Sequence, residues 1–145
     1  MIRTLVGFAA GVLVAATAAG GATGPAQIKI TDLETSHRVA HPARGGVPGT
    51  VETVGQRLFK PGVGKPIGRS SIVCTWVDDR DRSCLATYVL PRGSIVAAGT
   101  LRTRLLYELP VVGGTGLYDN ARGTLTVTAS HFRPRREVLV FRLVG

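Results

Sequence analysis

Five polar side chains of this sequence lie within runs of apolar residues, where they could take part in proton transfer. They are Glu52, Tyr88, Tyr107, Glu108 and His131. A carboxyl group or an imidazole can act as a general acid or base, and a tyrosine hydroxyl can donate a hydrogen bond. In an apolar cavity the loss of hydration raises the pKa of a carboxyl group. These side chains are therefore the candidates for an acid–base site.

Each main candidate also has a purely structural explanation. Tyr107 and Glu108 are adjacent, so in a strand they face opposite sides and cannot both line one cavity. Glu108 is then expected to be a solvated partner of an arginine, because ionisable side chains are rarely buried without a partner. Tyr88 and His131 are expected to pack in a strand wall, where a ring buries apolar area and keeps one polar group. The sequence leaves both explanations open.

The sequence has no pattern that predicts a cofactor or a metal. His37 and His41 are four residues apart in a predicted loop, with no third ligand nearby. The glycine-rich run that begins at Gly113 lacks the Lys-Ser/Thr ending of a phosphate loop and opens no helix. A catalytic thiol is disfavoured because the chain has no Cys-x-x-Cys motif. We therefore predict neither a cofactor nor a metal.

Length and charge limit the class of protein. The chain has 145 residues, which is one domain, with 18 Lys and Arg against 9 Asp and Glu and a formal charge of +9. Basic patches can bind nucleic acid, but aromatic residues make up only 6% of the chain and no base-stacking surface is visible. We predict no nucleic-acid partner and attribute the charge to solubility or to an anionic cell envelope.

The N-terminus has the layout of a secretory signal peptide. Residues 1–3 are basic and residues 4–19 are uncharged and rich in Ala, Val and Leu, and small residues follow that allow cleavage after Ala19, Ala22 or Ala26. The predicted division is a signal peptide over residues 1–26 and a domain over residues 27–145. The mature protein is then secreted, or held in the cell envelope, with no membrane contact. The alternative is a retained membrane anchor, since the uncharged stretch is long enough to span.

Export changes how the two cysteines are interpreted. Cys74 and Cys84 are the only cysteines, and a short polar turn separates the apolar runs that contain them. In an oxidising compartment a disulfide is the default state of such a pair. The sequence therefore predicts a hairpin that a Cys74–Cys84 disulfide joins.

Alternating apolar and polar residues predict an all-β domain. Eight runs have this period-2 pattern and are rich in β-branched residues. They span residues 27–35, 50–59, 69–77, 84–90, 93–102, 103–112, 123–132 and 137–144. Only the N-terminal signal segment is expected to be helical. Eight runs at this spacing indicate a sandwich or a closed barrel.

The segment after the sixth run resembles the allene oxide cyclase and dirigent-like superfamily. Three glycines allow a tight corner there, which Leu117 or Tyr118 would close off as a plug. A Leu-Pro-x-Gly-x-Ile turn and the cysteine hairpin precede the corner, and secreted bacterial proteins with an allene oxide cyclase barrel-like domain share this order. The corner residues that carry the resemblance are Gly113, Gly114, Thr115, Gly116, Tyr118, Arg122 and Gly123.

The resemblance implies an eight-stranded antiparallel β-barrel with an apolar interior that can hold a small apolar molecule. Members of this superfamily guide cyclisation or isomerisation by imposing a shape on a reactive molecule, and some self-associate. It also makes Arg122 a fourth weak catalytic candidate beside Glu108, Tyr88 and His131, although Arg122 is expected to bind Asp119 or carbonyl groups of the corner. The alternatives are a non-catalytic binding protein and a structural barrel whose own side chains fill the core.

Overall fold

Eight antiparallel strands close into a barrel. The computed structural model describes residues 26–40, 47–102, 105–130 and 134–144. The strands are β1 (Ala26–Ala40), β2 (Val51–Phe59), β3 (Pro66–Trp76), β4 (Arg82–Leu90), β5 (Gly93–Leu101), β6 (Leu106–Gly114), β7 (Arg122–Ala129) and β8 (Arg136–Val144). Each strand pairs with the next, and β8 returns to pair with β1. The predicted all-β class and the number of strands are confirmed.

Two strand ends differ from the prediction for physical reasons. β1 continues to Ala40 because a register shift between Glu34 and Ser36 lets the strand bend and keep its pairing with β2. β6 includes Gly113 and Gly114, which pair with β5 before the chain turns. The predicted signal peptide lies outside the described residues except for Ala26, which begins β1. None of the helical residues that the structure describes forms a span long and apolar enough to cross a membrane.

The barrel interior has an apolar half and a polar half. In the apolar half Tyr88 and Phe141 meet edge to face, with ring centroids 5.1 Å apart. Other fully buried apolar side chains of the core are Ile30, Leu58, Ile95, Leu109, Leu125, Val127 and Leu139. In the polar half the same inward-facing positions carry Asp32, Glu52, Gln56, Ser70, Arg82 and Glu137. The strands thus place a set of ionisable side chains on the inside of the barrel.

Each end of the barrel has its own set of connections. The β1–β2, β3–β4, β5–β6 and β7–β8 connections lie at the end beside the polar half, which we call the polar end. The β2–β3, β4–β5 and β6–β7 connections lie at the opposite end, which we call the corner end. The predicted disulfide is confirmed, because Cys74 and Cys84 face each other across β3 and β4 and are bonded inside the barrel.

The glycine corner closes the corner end. Gly116 has a φ of +62°, which a residue with a side chain adopts only at a cost. The short 3-10 helix Gly116–Tyr118 follows, and the Thr115 hydroxyl accepts a hydrogen bond of 3.1 Å from the backbone N–H of Ser94. Tyr118 packs against the core, whereas Leu117 is exposed, so Tyr118 is the plug.

Candidate functional site

A cavity of about 270 Å³ lies inside the barrel at the polar end. Apolar side chains form part of its wall, among them Val54, Ile72 and Leu101. The ionisable and polar residues that line it are Glu34, His37, Glu52, Gln56, Arg82, Tyr107, Ser130, Arg135 and Glu137. A concave, partly apolar space with a few convergent polar groups is the usual form of a small-molecule site.

Two carboxyl groups meet beside this cavity. Asp32 of β1 and Glu137 of β8 are directly paired across the two strands, and both are buried. The backbone N–H of Glu137 donates a hydrogen bond of 2.9 Å to Oδ1 of Asp32. The other oxygen, Oδ2, is buried and receives no hydrogen bond from the described residues. Glu137 lines the cavity, and Asp32 is fully buried next to it.

Three side chains hold Glu137 in place. The Gln56 amide donates to Oε2 over 3.0 Å, and the Ser70 hydroxyl donates to the Gln56 carbonyl over 2.6 Å. The Nε atom of Arg135 lies 3.1 Å from Oε1. The Arg135 carbonyl in turn accepts a hydrogen bond from the backbone of Glu34, which ties the arginine to β1. Partners from several elements therefore fix the orientation of the Glu137 carboxyl group.

Burial raises the pKa of Asp32 to about 8, and the negative charge of Glu137 acts in the same direction. The proximity of the two side chains also favours the protonated form of Asp32. Asp32 therefore keeps its proton near neutral pH.

An ion pair forms another part of the cavity wall. Nη1 of Arg82 lies 3.6 Å from Oε2 of Glu52, and both side chains are less than a tenth exposed. The Arg82 guanidinium also lies over the ring of Trp76, 5.6 Å from its centroid. This packing holds the charges of Arg82 and Glu52 at the cavity in a fixed position.

The hydroxyl of Tyr107 completes the polar lining. Burial and the nearby Glu137 charge raise the pKa of Tyr107 above its usual value, so its hydroxyl stays protonated. It can therefore donate a hydrogen bond to a molecule in the cavity.

The cavity is acidic, although the chain as a whole is basic. Four of the chain's 9 acidic side chains lie in or beside it, namely Asp32, Glu34, Glu52 and Glu137. Among the described residues, two arginines line it, Arg82 and Arg135. Even with Asp32 protonated, the carboxylates of this described lining outnumber its guanidinium groups, so it favours a neutral or cationic ligand over an anion.

The structure separates the residues that the sequence nominated. Tyr107 and Glu52 line the cavity. Glu108 is exposed on the outer face of β6, where its carboxylate accepts a hydrogen bond of 2.9 Å from Thr126. Tyr88 lies in the apolar half, where burial raises the pKa of its hydroxyl well above the usual value. His131 lies outside the described residues.

Arg122 belongs to the corner end, remote from the cavity. Its Nη1 atom donates a hydrogen bond of 2.9 Å to the carbonyl oxygen of Ala121, as expected for a structural role at the corner. A methyl group on Gly113 would lie 3.8 Å from the same nitrogen, so the guanidinium packs over this glycine.

Sequence reasoning missed the central pair, Asp32 and Glu137. Glu137 lies two residues before Leu139, and Asp32 lies two residues after Ile30, so both continue the inward-facing phase of their strands. The alternation of inward-facing and outward-facing residues in β1 and β8 could therefore have identified both residues from the sequence. No group of three or more His, Cys, Asp or Glu side chains that could hold a metal occurs within the described ranges.

Comparisons with known proteins identify the fold. No family model matches the sequence, and no curated protein matches it either. Among solved structures, a pyocyanin demethylase is 21% identical with a TM-score of 0.68, over 79% of this chain and 98% of that one. A pterocarpan synthase dirigent protein is 16% identical with a TM-score of 0.63, over 85% of this chain and 98% of that one.

An exo-specific intermolecular Diels-Alderase is also similar, at 12% identity and a TM-score of 0.68, over 84% of this chain and 99% of that one. These matches span almost the whole length of each similar protein at low identity, so they establish the shared architecture. The resemblance that the glycine corner carries is confirmed at this level. The chain has the same eight-stranded closed-barrel fold as these proteins.

Proposed function

We propose that this barrel binds a small, mainly apolar molecule in the cavity at the polar end and guides its cyclisation or isomerisation. Glu137 is the acid–base group that contacts the bound molecule, and Asp32 is the positioning residue that holds the proton of the pair. The observation that carries the proposal is the buried Asp32–Glu137 pair, directly joined by a backbone hydrogen bond of 2.9 Å beside the cavity.

A shared proton suits this class of reaction. Cyclisation and isomerisation conserve every atom of the substrate, so the protein needs only to lend a proton and recover it. Two adjacent buried carboxyl groups cannot both ionise easily, which keeps one proton available near neutral pH. Because Glu137 lines the cavity and Asp32 does not, the proton reaches the substrate through Glu137.

The rest of the cavity supplies shape. Val54, Ile72 and Leu101 give an apolar wall against which a folded substrate can be held, and the Tyr107 hydroxyl can fix its orientation. A structural barrel filled by its own side chains, the alternative from the sequence, would have no space of 270 Å³ at this end. The cavity therefore favours ligand binding over a filled core.

The similar structures support the proposal by analogy. A pterocarpan synthase dirigent protein and a Diels-Alderase both share this barrel, and the second name describes ring-forming chemistry. Fold alone does not fix function, so the argument depends on the side chains of the cavity. The proposal includes export, which the Cys74–Cys84 disulfide and the N-terminal sequence support.

The experiment that tests the proposal compares small-molecule extracts of the producing cells before and after incubation with the purified protein. An isomerase converts one compound into another of identical mass and different chromatographic retention. The wild type and Glu108→Gln should both make this conversion, because Glu108 lies on the outer face. Glu137→Gln should still bind the compound but not convert it. Equal conversion by Glu137→Gln would remove this residue from the mechanism, and no conversion by any form would leave a binding protein.

A further inference from the structure

We propose a second binding site at the corner end, for an elongated apolar molecule that carries a carboxylate or a similar anionic group. The site is a groove of about 680 Å³, which we call the corner groove. Its walls are the start of β1, the β2–β3 connection and the β4–β5 turn, with Tyr118 at one side. None of its residues lines the cavity at the polar end, so the two sites are separate.

The floor of the corner groove is apolar. Ile30 and Leu90 are buried beneath it, and Ile28, Ile67 and Tyr118 are half-buried against the core. A volume between about 300 and 1,000 Å³ is typical of small-molecule sites. The floor thus provides a surface on which an extended hydrocarbon body can lose contact with water.

The charged residues on the rim of the corner groove are all cationic. Lys29, Lys60 and Arg92 belong to three different segments and all line the groove, and none of the described lining residues is acidic. The cavity at the polar end shows the reverse, because carboxyl groups outnumber arginines among the residues described there. Because of this difference in charge, the two ends prefer ligands of opposite charge. The cationic rim of the corner groove is complementary to an anionic group.

Backbone donors add to the rim. Residues 26–30 of β1 pair with β8 along one edge, whereas pairing with β2 begins only at Thr31 and Phe59. The edge of residues 26–30 that faces the groove therefore has no strand partner within the described residues. Amide groups on such an edge can donate hydrogen bonds to a carboxylate.

A second copy of this chain does not fit the groove. Two copies that met at this end would bring the same three cations together in chains that each carry a formal charge of +9. The apolar floor beneath a positive rim fits a free amphiphilic anion instead.

The test uses the full chain labelled with ¹⁵N and follows backbone amide shifts by NMR. Dodecanoate, kept below its micelle concentration, should shift the amides of Ile28, Val63 and Arg92 and leave those of Tyr107 and Glu137 unchanged. Dodecyltrimethylammonium has a similar hydrocarbon body and the opposite charge, so it should bind at least about tenfold more weakly.

Variants in one loop provide a matched comparison. Lys60→Glu should weaken dodecanoate binding about fivefold, because it reverses one charge of the rim. Lys65→Glu reverses a charge in the same connection outside the groove and should leave the affinity unchanged. Glu137→Gln should also have no effect, so failure of this proposal and failure of the proposed function are distinguishable.

Four outcomes would overturn the proposal. The first is equal affinity for dodecanoate and dodecyltrimethylammonium, and the second is a set of amide shifts centred on Glu137. The third is an affinity for dodecanoate that falls as the protein concentration rises, and the fourth is binding only to phosphatidylglycerol vesicles. The last two would assign the groove to a second copy or to a membrane surface instead of a free amphiphile.

Discussion

Asp32 and Glu137 lie directly opposite each other on β1 and β8, and both side chains are buried inside the barrel. The backbone N–H of Glu137 donates a hydrogen bond to one oxygen of Asp32, and burial beside Glu137 raises the pKa of Asp32 to about 8. The structure therefore stores a proton beside a cavity. We expect the stability of the protein to depend on this relationship, and the proposed chemistry rests on it.

The first prediction concerns stability and pH. The pKa of Asp32 is about 8 in the folded protein, against 3.8 for an unperturbed aspartic acid, the value expected in the unfolded chain. Between these values the folded state binds the proton and the unfolded chain releases it, so the free energy of unfolding falls as pH rises. The slope approaches about 1.4 kcal/mol per pH unit, the value for one proton released on unfolding.

Asp32→Asn should remove this pH dependence, because the amide keeps an acceptor for Glu137 N–H and supplies a permanent donor. Urea unfolding at pH 5 and pH 8.5 measures the difference. Asp119→Asn is the control, because it changes a carboxyl group in the corner turn, away from Asp32 and Glu137. It should retain the wild-type dependence of the free energy of unfolding on pH. Identical slopes for the wild type and Asp32→Asn would show that Asp32 ionises normally.

The sequence predicts the barrel because alternation and turn chemistry are local properties of the chain. Eight alternating runs give eight strands, and the glycine corner has a shape that few other residues accept. The polar half is harder to predict, because Asp32 and Glu137 are far apart in sequence and meet only when β8 pairs with β1. Considered separately in the sequence, each of these two residues resembles a polar residue near the end of a strand.

One rule would have improved the prediction of the site. Ile28 and Ile30 face inward, and strict alternation then places Asp32 inside and Leu33 outside, as the structure shows. If Leu33 is assigned to the same face as Ile28 and Ile30 because it is hydrophobic, the inward position of Asp32 is missed. The cavity itself depends on the volumes of side chains from many strands, which no local pattern contains.

The second prediction concerns the disulfide. The Cys74–Cys84 bond joins β3 and β4 over a sequence separation of 10 residues. The double substitution to alanine should lower the free energy of unfolding by about 2–3 kcal/mol, the amount expected for a loop this short. Thermal unfolding of the two forms measures it. A double variant as stable as the wild type would mean that the bond has no structural role.

The third prediction concerns the glycine corner. A methyl group on Gly114 would collide with the carbonyl oxygens of Tyr118 and Ser94, which belong to the rigid backbone of the corner. Gly114→Ala should therefore destabilise the fold by about 1–3 kcal/mol. Gly64→Ala is the matched control, because nothing lies within 4 Å of its added methyl group. Equal unfolding midpoints for the two variants would show that the corner can adjust.

The central claim is that the cavity beside Glu137 holds a small molecule, and native mass spectrometry of the protein purified from the cells that produce it tests it most directly. We expect a species heavier than the unliganded protein by the mass of one small molecule. Val54→Trp, which fills part of the cavity from its wall, should lack this species while keeping the disulfide. A wild-type spectrum that shows only the unliganded chain, or a Val54→Trp variant that carries the same molecule, would contradict the account.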